Sequence, residues 1–212
     1  MENHMRKLLT IGLVWLLGSL SLAQAQGTQF QAGVDYVELP SPAPTQEPDR
    51  VEVAELFWYG CGHCFTFEPL ISEWKKDLPE HAYFRPVPAF FGGPWDTHGQ
   101  LFYTLESMGK LEETHTAIFQ AMHNQGERLA DVDAMVRLLK QYGVDEDEFR
   151  KTWASPGVKL KINQAKRLAK AYRATGVPTL IVNGKYRIEG GMAGSFENML
   201  KIADYLVEQE RP

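Results

Sequence analysis

The sequence predicts an α/β protein in which one sheet, with helices on both faces, is interrupted by a block of helices. Three observations carry this. Val51–Tyr59 is an almost wholly apolar run of the kind that forms a strand buried on both faces. From Trp95 to Tyr172 apolar residues recur at helical spacing with little strand character. Beyond that block, strand-like runs return at Pro178–Val182 and Lys185–Ile188.

The chain opens with a short basic region, Met5-Arg6-Lys7, then an apolar stretch, Leu8–Leu22, then the small-x-small site Ala23-Gln24-Ala25. These are the parts of a secretory signal peptide over residues 1–25, cleaved after Ala25. An uncleaved membrane anchor is the competing reading, but the run is short and ends in small residues. The mature chain from Gln26 is therefore expected to be soluble and extracytoplasmic, where disulfides persist.

Residues 26–32 are polar and expected to be mobile. Tyr36–Leu39 is a short strand, and Pro40–Asp49, with four prolines, is a loop. After Val51–Tyr59, the stretch from Phe65 to about Asp77 reads as a helix with a kink at Pro69. Ala82–Val87 returns as a strand beside the first. Within the helical block, Leu101, Leu105 and Met108 share one face, and Leu111, His115, Ile118 and Met122 another. Asp131 is an N-cap ahead of Val132, and Asp145-Glu146-Asp147-Glu148 has capping-box spacing ahead of Phe149 and Trp153. Ile162, Ala165, Leu168 and Tyr172 line the last long helix of the block. Asn183-Gly184 joins the two late strands as a tight hairpin turn. A C-terminal helix from about Ser195 buries Phe196, Leu200, Ala203 and Val207.

Lysine and arginine number 22 against 27 aspartates and glutamates, a net charge of −5. Losing Glu2, Arg6 and Lys7 with the leader leaves 20 basic against 26 acidic side chains, or −6. Neither a basic nucleic-acid surface nor a polybasic membrane signal is present. His81, His98, His115 and His123 form no metal-ligand spacing and read as surface or helix-face residues. No metal or other cofactor is expected.

The chemistry concentrates in Cys61-Gly62-His63-Cys64, which holds the chain's 2 cysteines. Two cysteines cannot scaffold a fold, so the fold rests on its apolar core. The motif lies between the Val51–Tyr59 strand and the following helix, placing Cys61 at or just before the helix N-terminus. There the unpaired N–H groups and the helix dipole favour thiolate over thiol. A static staple is a poor alternative, because so small a loop gains little by chain closure. His63, between the cysteines, is placed to stabilise a Cys61 thiolate. Glu55, six residues before Cys61 in an apolar strand, is expected to be buried. Trp58, Phe90, Phe91 and Trp95 are candidates to frame an apolar groove beside Cys61.

Phe57-Trp58-Tyr59-Gly60-Cys61-Gly62-His63-Cys64, together with Gly176-Val177-Pro178-Thr179 more than a hundred residues later, resembles a thioredoxin-fold oxidoreductase. The helical insertion, Glu38-Leu39-Pro40, Phe67-Glu68 and Val182-Asn183-Gly184-Lys185-Tyr186 resemble the DsbA family of periplasmic thiol–disulfide oxidases over essentially the whole mature chain. The resemblance implies a thioredoxin fold with an inserted all-helical domain. The leader is residues 1–25, the thioredoxin-like domain comprises 26–94 and 165–212, and the insertion is 95–164.

It also implies roles. Cys61 is the exposed low-pKa thiol, attacked in the disulfide to give a mixed disulfide, and Cys64 the buried resolving thiol. Glu55 is the buried acid that exchanges a proton with Cys64. Pro178 is cis and faces the cysteines, leaving the Val177 backbone free to pair with an extended substrate. Partners are reduced, unfolded secreted proteins and a membrane reoxidant linked to quinone, like DsbB, with the protein itself a monomer in the periplasm. In the family a lysine pairs with the buried acid, and here the corresponding strand offers Arg85 and no lysine. Gly62 stands where the family often has proline, and Cys-Gly-His-Cys also resembles protein disulfide isomerases. A disulfide isomerase or reductase on the same fold is therefore the alternative, although such isomerases carry an N-terminal dimerisation domain for which the mature chain has no room. From another class, a metal-binding or chaperone module would use Cys61, Cys64 and His63 as ligands.

Overall fold

A computed structural model describes residues 29–212. The leader expected at residues 1–25 lies outside the described residues. Five strands are present: β1 (Val37–Glu38), β2 (Val51–Phe57), β3 (Ala82–Pro88), β4 (Thr179–Val182) and β5 (Tyr186–Glu189). After β2 comes helix α1 (Gly62–Trp74), extended by a tighter turn over Lys75–Asp77. Between β3 and β4 lie α2 (Pro94–Ser107), α3 (Leu111–Asn124), α4 (Val132–Leu139), α5 (Glu146–Trp153) and α6 (Pro156–Ala171). A short α7 (Gly190–Ala193) and the long α8 (Phe196–Gln209) close the chain.

The strands form one sheet in the order β1-β5-β4-β2-β3. β2 and β3 are parallel, while β4 runs antiparallel to β2 with Val53 opposite Val182 and Leu56 opposite Thr179. That register has a direct consequence. The residues entering β4, Val177 and Pro178, arrive beside the exit of β2, where the cysteines follow.

Alternation along β2 divides the core between the two faces of the sheet. Val51 and Val53 pack with Phe67 and Ile71 of α1 and with Met199, Ile202 and Leu206 of α8. Ala54 and Leu56 pack with Leu101 and Phe102 of α2, Ile118 and Phe119 of α3, and Phe149 of α5. The inserted helices thus cover one face, and α1 with α8 the other. All seven residues of β2 are buried, as the sequence implied.

Local signals agree with the chain's own chemistry. Asp131, Asp145 and Ser195 each accept a backbone N–H three residues on, starting α4, α5 and α8. The Asn183-Gly184 turn has positive φ at both residues, as a two-residue hairpin requires. Gly184 is needed for a further reason, since a Cβ there would lie 2.1 Å from the Ala43 carbonyl oxygen of the passing proline-rich loop. Helix α1 begins at Gly62, earlier than the apolar pattern suggests, and continues through Pro69. The expectation of a mobile 26–32 is corrected from residue 29 onward: Phe30 is buried with its ring 5.6 Å from that of Tyr205.

Arg85 does not face Glu55. In the β2–β3 register Arg85 stands opposite Ala54, which shares a face with Glu52, whereas Glu55 points to the other side. Arg85 accordingly donates to Glu52, 1% exposed, at 3.2 Å, and the Tyr83 hydroxyl donates to the same carboxylate at 2.7 Å. Removing one partner of a buried pair strands the other charge, so Arg85→Met is expected to lose about 3 kcal/mol in urea unfolding. Adding Glu52→Gln should recover part of that loss. A single variant as stable as the parent would show that Tyr83 and the Gln46 N–H, which donates to the same oxygen at 3.1 Å, satisfy Glu52 without Arg85.

Candidate active site

Cys61 is the N-cap of α1, with extended backbone torsions and a sulfur that accepts the Cys64 N–H at 3.2 Å. The sequence places a turn here because the strand ends at Phe57 and Gly60 permits close approach. A Cβ on Gly60 would meet the Trp58 ring at 2.4 Å, so the indole lies across its backbone. The Cys61 N–H donates back to the Trp58 carbonyl at 2.9 Å and closes the turn. Both cysteines are free thiols, Cys61 half-buried and Cys64 buried.

The environment splits their acidities. The Cys61 thiol is lowered from 9.0 to about 6, chiefly by the Cys64 thiol as hydrogen-bond donor, against the opposing effect of burial. Backbone N–H groups of residues 63 and 64 and the nearby His63 add to the lowering, His63 least. Cys64 is pushed far up by burial, by its bond to Cys61, and by the Glu55 charge. One thiol therefore ionises easily and its partner holds its proton.

Glu55 is 2% exposed. Burial raises its pKa well above the ordinary value, and the charges of Glu68 and Cys61 raise it further. Glu68, buried one turn beyond Cys64 on α1, goes the other way. Burial opposes its ionisation, but His115, a Ser72 hydroxyl donating at 2.8 Å and the Lys75 charge hold its pKa below the ordinary value. His115 Nε2 stands 3.5 Å from the Glu68 carboxylate.

The Val177–Pro178 peptide is cis, and the Val177 carbonyl oxygen lies 3.6 Å from the Cys61 sulfur. Beside it opens a groove of about 610 Å³, bounded by His63, residues 175–179, the start of α7 and Ser195–Glu197 at the head of α8. The four aromatic residues expected to frame a groove do not line this one. Trp58 and Trp95 stack on each other at 4.1 Å, with Phe91, half exposed, 4.9 Å from Trp95. Phe90 turns instead onto Gly99 and stacks on Tyr103. Ring-on-ring packing with α2 thus takes up Trp58, Phe90 and Trp95.

The structure thus brings Cys61, Cys64, His63, Glu55, Val177 and Pro178 to one place. It adds three histidines that sequence reasoning took for surface or helix-face residues. His98 is buried, its Nδ1 accepting the Trp58 indole N–H at 3.0 Å and its Nε2 bonded to the Arg128 carbonyl at 3.1 Å. Burial lowers its pKa, consistent with a neutral ring that accepts on one side and donates on the other. His115 Nδ1 and the Tyr59 hydroxyl share a hydrogen bond of 2.8 Å, and His123 Nε2–H donates to the Tyr59 carbonyl at 2.8 Å. The signal that could have found two of them is spacing: His115, Phe119 and His123 recur every four residues on one stripe of α3. No group of three His, Cys, Asp or Glu side chains with a metal-holding arrangement occurs among the described residues.

A reactive thiol on a helix N-terminus, a buried partner three residues on and an antiparallel strand entering beside them define a thioredoxin-fold thiol–disulfide oxidoreductase. Residues 84–201 match the family model described as DSBA-like thioredoxin domain. The chain is 47% identical over 207 residues to the thiol:disulfide interchange protein DsbA of Pseudomonas aeruginosa, covering 98% of each. It is 50% identical to that of Azotobacter vinelandii, covering 98% of this chain and 99% of the relative. The crystal structure of Pseudomonas aeruginosa DsbA superposes with a TM-score of 0.82 at 50% identity, covering 86% of this chain and 95% of that one. The oxidoreductase DsbA from Xylella fastidiosa gives 0.81 at 34% identity, covering 86% and 98%. The protein belongs to the DsbA family of thiol:disulfide interchange proteins.

The Cys61 acidity makes the reduced protein's stability depend on pH. A folded pKa depressed from 9.0 to about 6 gives a contribution fully present above pH 9 and lost as pH falls through 6. Ultraviolet thiolate absorbance of the reduced protein should titrate near pH 6. Thermal melts should show the reduced form losing its advantage over the oxidised form from pH 9 down to 6. A pH-independent gap between the two melts would contradict the assignment.

Proposed function

We propose that the protein works in the periplasm as a monomeric oxidase, transferring its Cys61–Cys64 disulfide to reduced, unfolded secreted proteins. The observation that carries this is the Cys61 sulfur on the helix N-terminus, acidic and beside the Val177 carbonyl. A substrate thiolate attacks Cys61 of the disulfide, and the S–S electron pair leaves on Cys64, which takes a proton from Glu55. A second substrate thiolate then attacks the substrate sulfur of the mixed disulfide and expels Cys61 as a thiolate. The substrate loses two electrons and two protons. The protein keeps the two electrons and, on Cys64, the proton from Glu55; of the two substrate protons, one restores Glu55 through solvent and the other stays in solvent.

Direction follows from leaving-group quality: the more stable the Cys61 thiolate, the more strongly oxidising its disulfide. His63 contributes a smaller part of that stabilisation. Val177 and Pro178 face the substrate, whose extended backbone pairs with Val177 along the groove. Return to the disulfide is assigned to a quinone-linked membrane partner like DsbB. The sequence division at 94/95 and 164/165 belongs to this reading, with the second boundary inside α6. Supporting the location are the leader motif and the family.

Oxidation of a reduced two-cysteine peptide tests the function directly. Cys61→Ala should abolish it, and Cys64→Ala should accumulate mixed disulfides; a fully active Cys64→Ala protein sinks these roles. Equilibrium with glutathione decides direction, since a strongly reducing poise would favour the isomerase or reductase reading. Glu55 gives a separate test. Its folded pKa is raised, so its cost is absent below about pH 4.5 and grows as pH rises through that value. Glu55→Leu is expected to raise the urea midpoint at pH 7 while slowing the steps in which Cys64 gains or loses a proton. Lowered stability at pH 7, or unchanged kinetics, would count against a buried protonated acid in that role.

A further inference from the structure

Helix α3 carries no redox group, yet one of its side chains touches both flanks of the cysteine motif. His123 Nε2–H donates to the Tyr59 carbonyl at 2.8 Å, two residues before Cys61. The same imidazole stacks on Phe65, the residue after Cys64, with ring centroids 4.7 Å apart and planes 10° from parallel. His123 is separated from Tyr59 by 64 residues, so this bridge is made only by the fold.

What it bridges is the geometry on which Cys61 depends. The Tyr59 carbonyl lies inside the turn closed by the bond from the Cys61 N–H to the Trp58 carbonyl. That turn fixes the Cys61 backbone, and hence how its sulfur meets the Cys64 N–H at 3.2 Å. Phe65 fixes the first turn of α1 from the opposite side. A thiolate at a helix N-terminus gains only while its donors stay aligned, because hydrogen bonds weaken steeply as they bend.

We infer that His123 is a positioning residue for thiol–disulfide exchange: by holding Tyr59 and Phe65 together it keeps the Cys61 sulfur seated on the N-terminus of α1. The inserted helices thereby set the reactivity of a thiol they do not carry. This rests on Cys61 as the reacting thiol, which Cys61→Ala tests independently.

Two variants of the mature protein separate the bond from the stack. His123→Phe retains a stacked ring and loses the donor, whereas His123→Gln keeps an N–H at similar reach. The readouts are the Cys61 thiolate titration of the reduced protein and its equilibrium with glutathione, neither of which requires substrate turnover. His123→Phe is expected to raise the Cys61 midpoint by about half a pH unit, roughly a threefold loss in the thiolate-to-thiol ratio. It should also move the glutathione equilibrium toward the protein disulfide, with His123→Gln, which keeps the bond and loses only the stack, shifted in the same direction by less. An unchanged midpoint in His123→Phe, whatever its melting temperature, overturns the inference, as does a His123→Gln variant shifted equally far. Should His123→Phe fail to fold, Phe65→Leu removes the stack from the other side. A raised midpoint there supports the bridge, and the parent midpoint overturns it.

Discussion

A sulfur held at the end of a helix is the interaction on which the rest of this structure depends. Cys61 caps α1 with its side chain, taking the place that Asp131, Asp145 and Ser195 fill with oxygen on other helices. An oxygen cap stabilises a helix; a sulfur cap lets the helix stabilise a thiolate. Half-burial works against that charge, so the Cys64 thiol as donor, joined by the backbone N–H groups and His63, has to outweigh desolvation, and together they do. Much of the surrounding architecture serves that alignment. Gly60 leaves room for the Trp58 ring, α3 grips Tyr59, and the antiparallel β4 delivers Val177 to the sulfur.

Beneath the cysteines two buried carboxyls have opposite fates, for reasons of partnership rather than depth. Glu68 is supplied with His115, Ser72 and Lys75 and remains ionised. Glu55 meets mainly desolvation and the repulsion of Glu68 and Cys61, which raise its pKa well above the ordinary value. Both raised groups, Glu55 and the Cys64 thiol, thus resist adding a second negative charge near the Cys61 sulfur. The ion pair of Arg85 is kept apart from this system by strand alternation, which turns it toward Glu52 on the opposite face of β2.

Much of the fold was legible because its signals are local. The apolar β2, the Asn183-Gly184 hairpin and the Asp131 and Asp145 caps are decided within a few residues, and each stands where the pattern put it. The Cys61-Gly62-His63-Cys64 motif was legible for the same reason. The histidines were not. A histidine on a helical stripe looks the same whether it faces water or a buried carbonyl, and the partner of His123 lies 64 residues away. The lining of the groove was hidden on similar grounds. Trp58 packs on Trp95 and Phe90 on Tyr103 of α2, while the open space is formed by His63 and residues 175–179, 189–191 and 194–197.

The sequence by itself determined the thiol pair, its seat between strand and helix, the buried acid six residues before it and the class of chemistry these permit. Those follow from short-range rules of backbone capping, strand burial and periodicity. Only the tertiary structure decided which groups tune the pair: that Glu68 is held more acidic, that Glu55 is held less acidic, that Arg85 serves Glu52, and that a histidine from a distant helix bonds the turn. Ionisation and position depend on what stands within a few ångströms in space. Sheet register and helix packing bring those neighbours together from parts of the chain that carry no mark of one another.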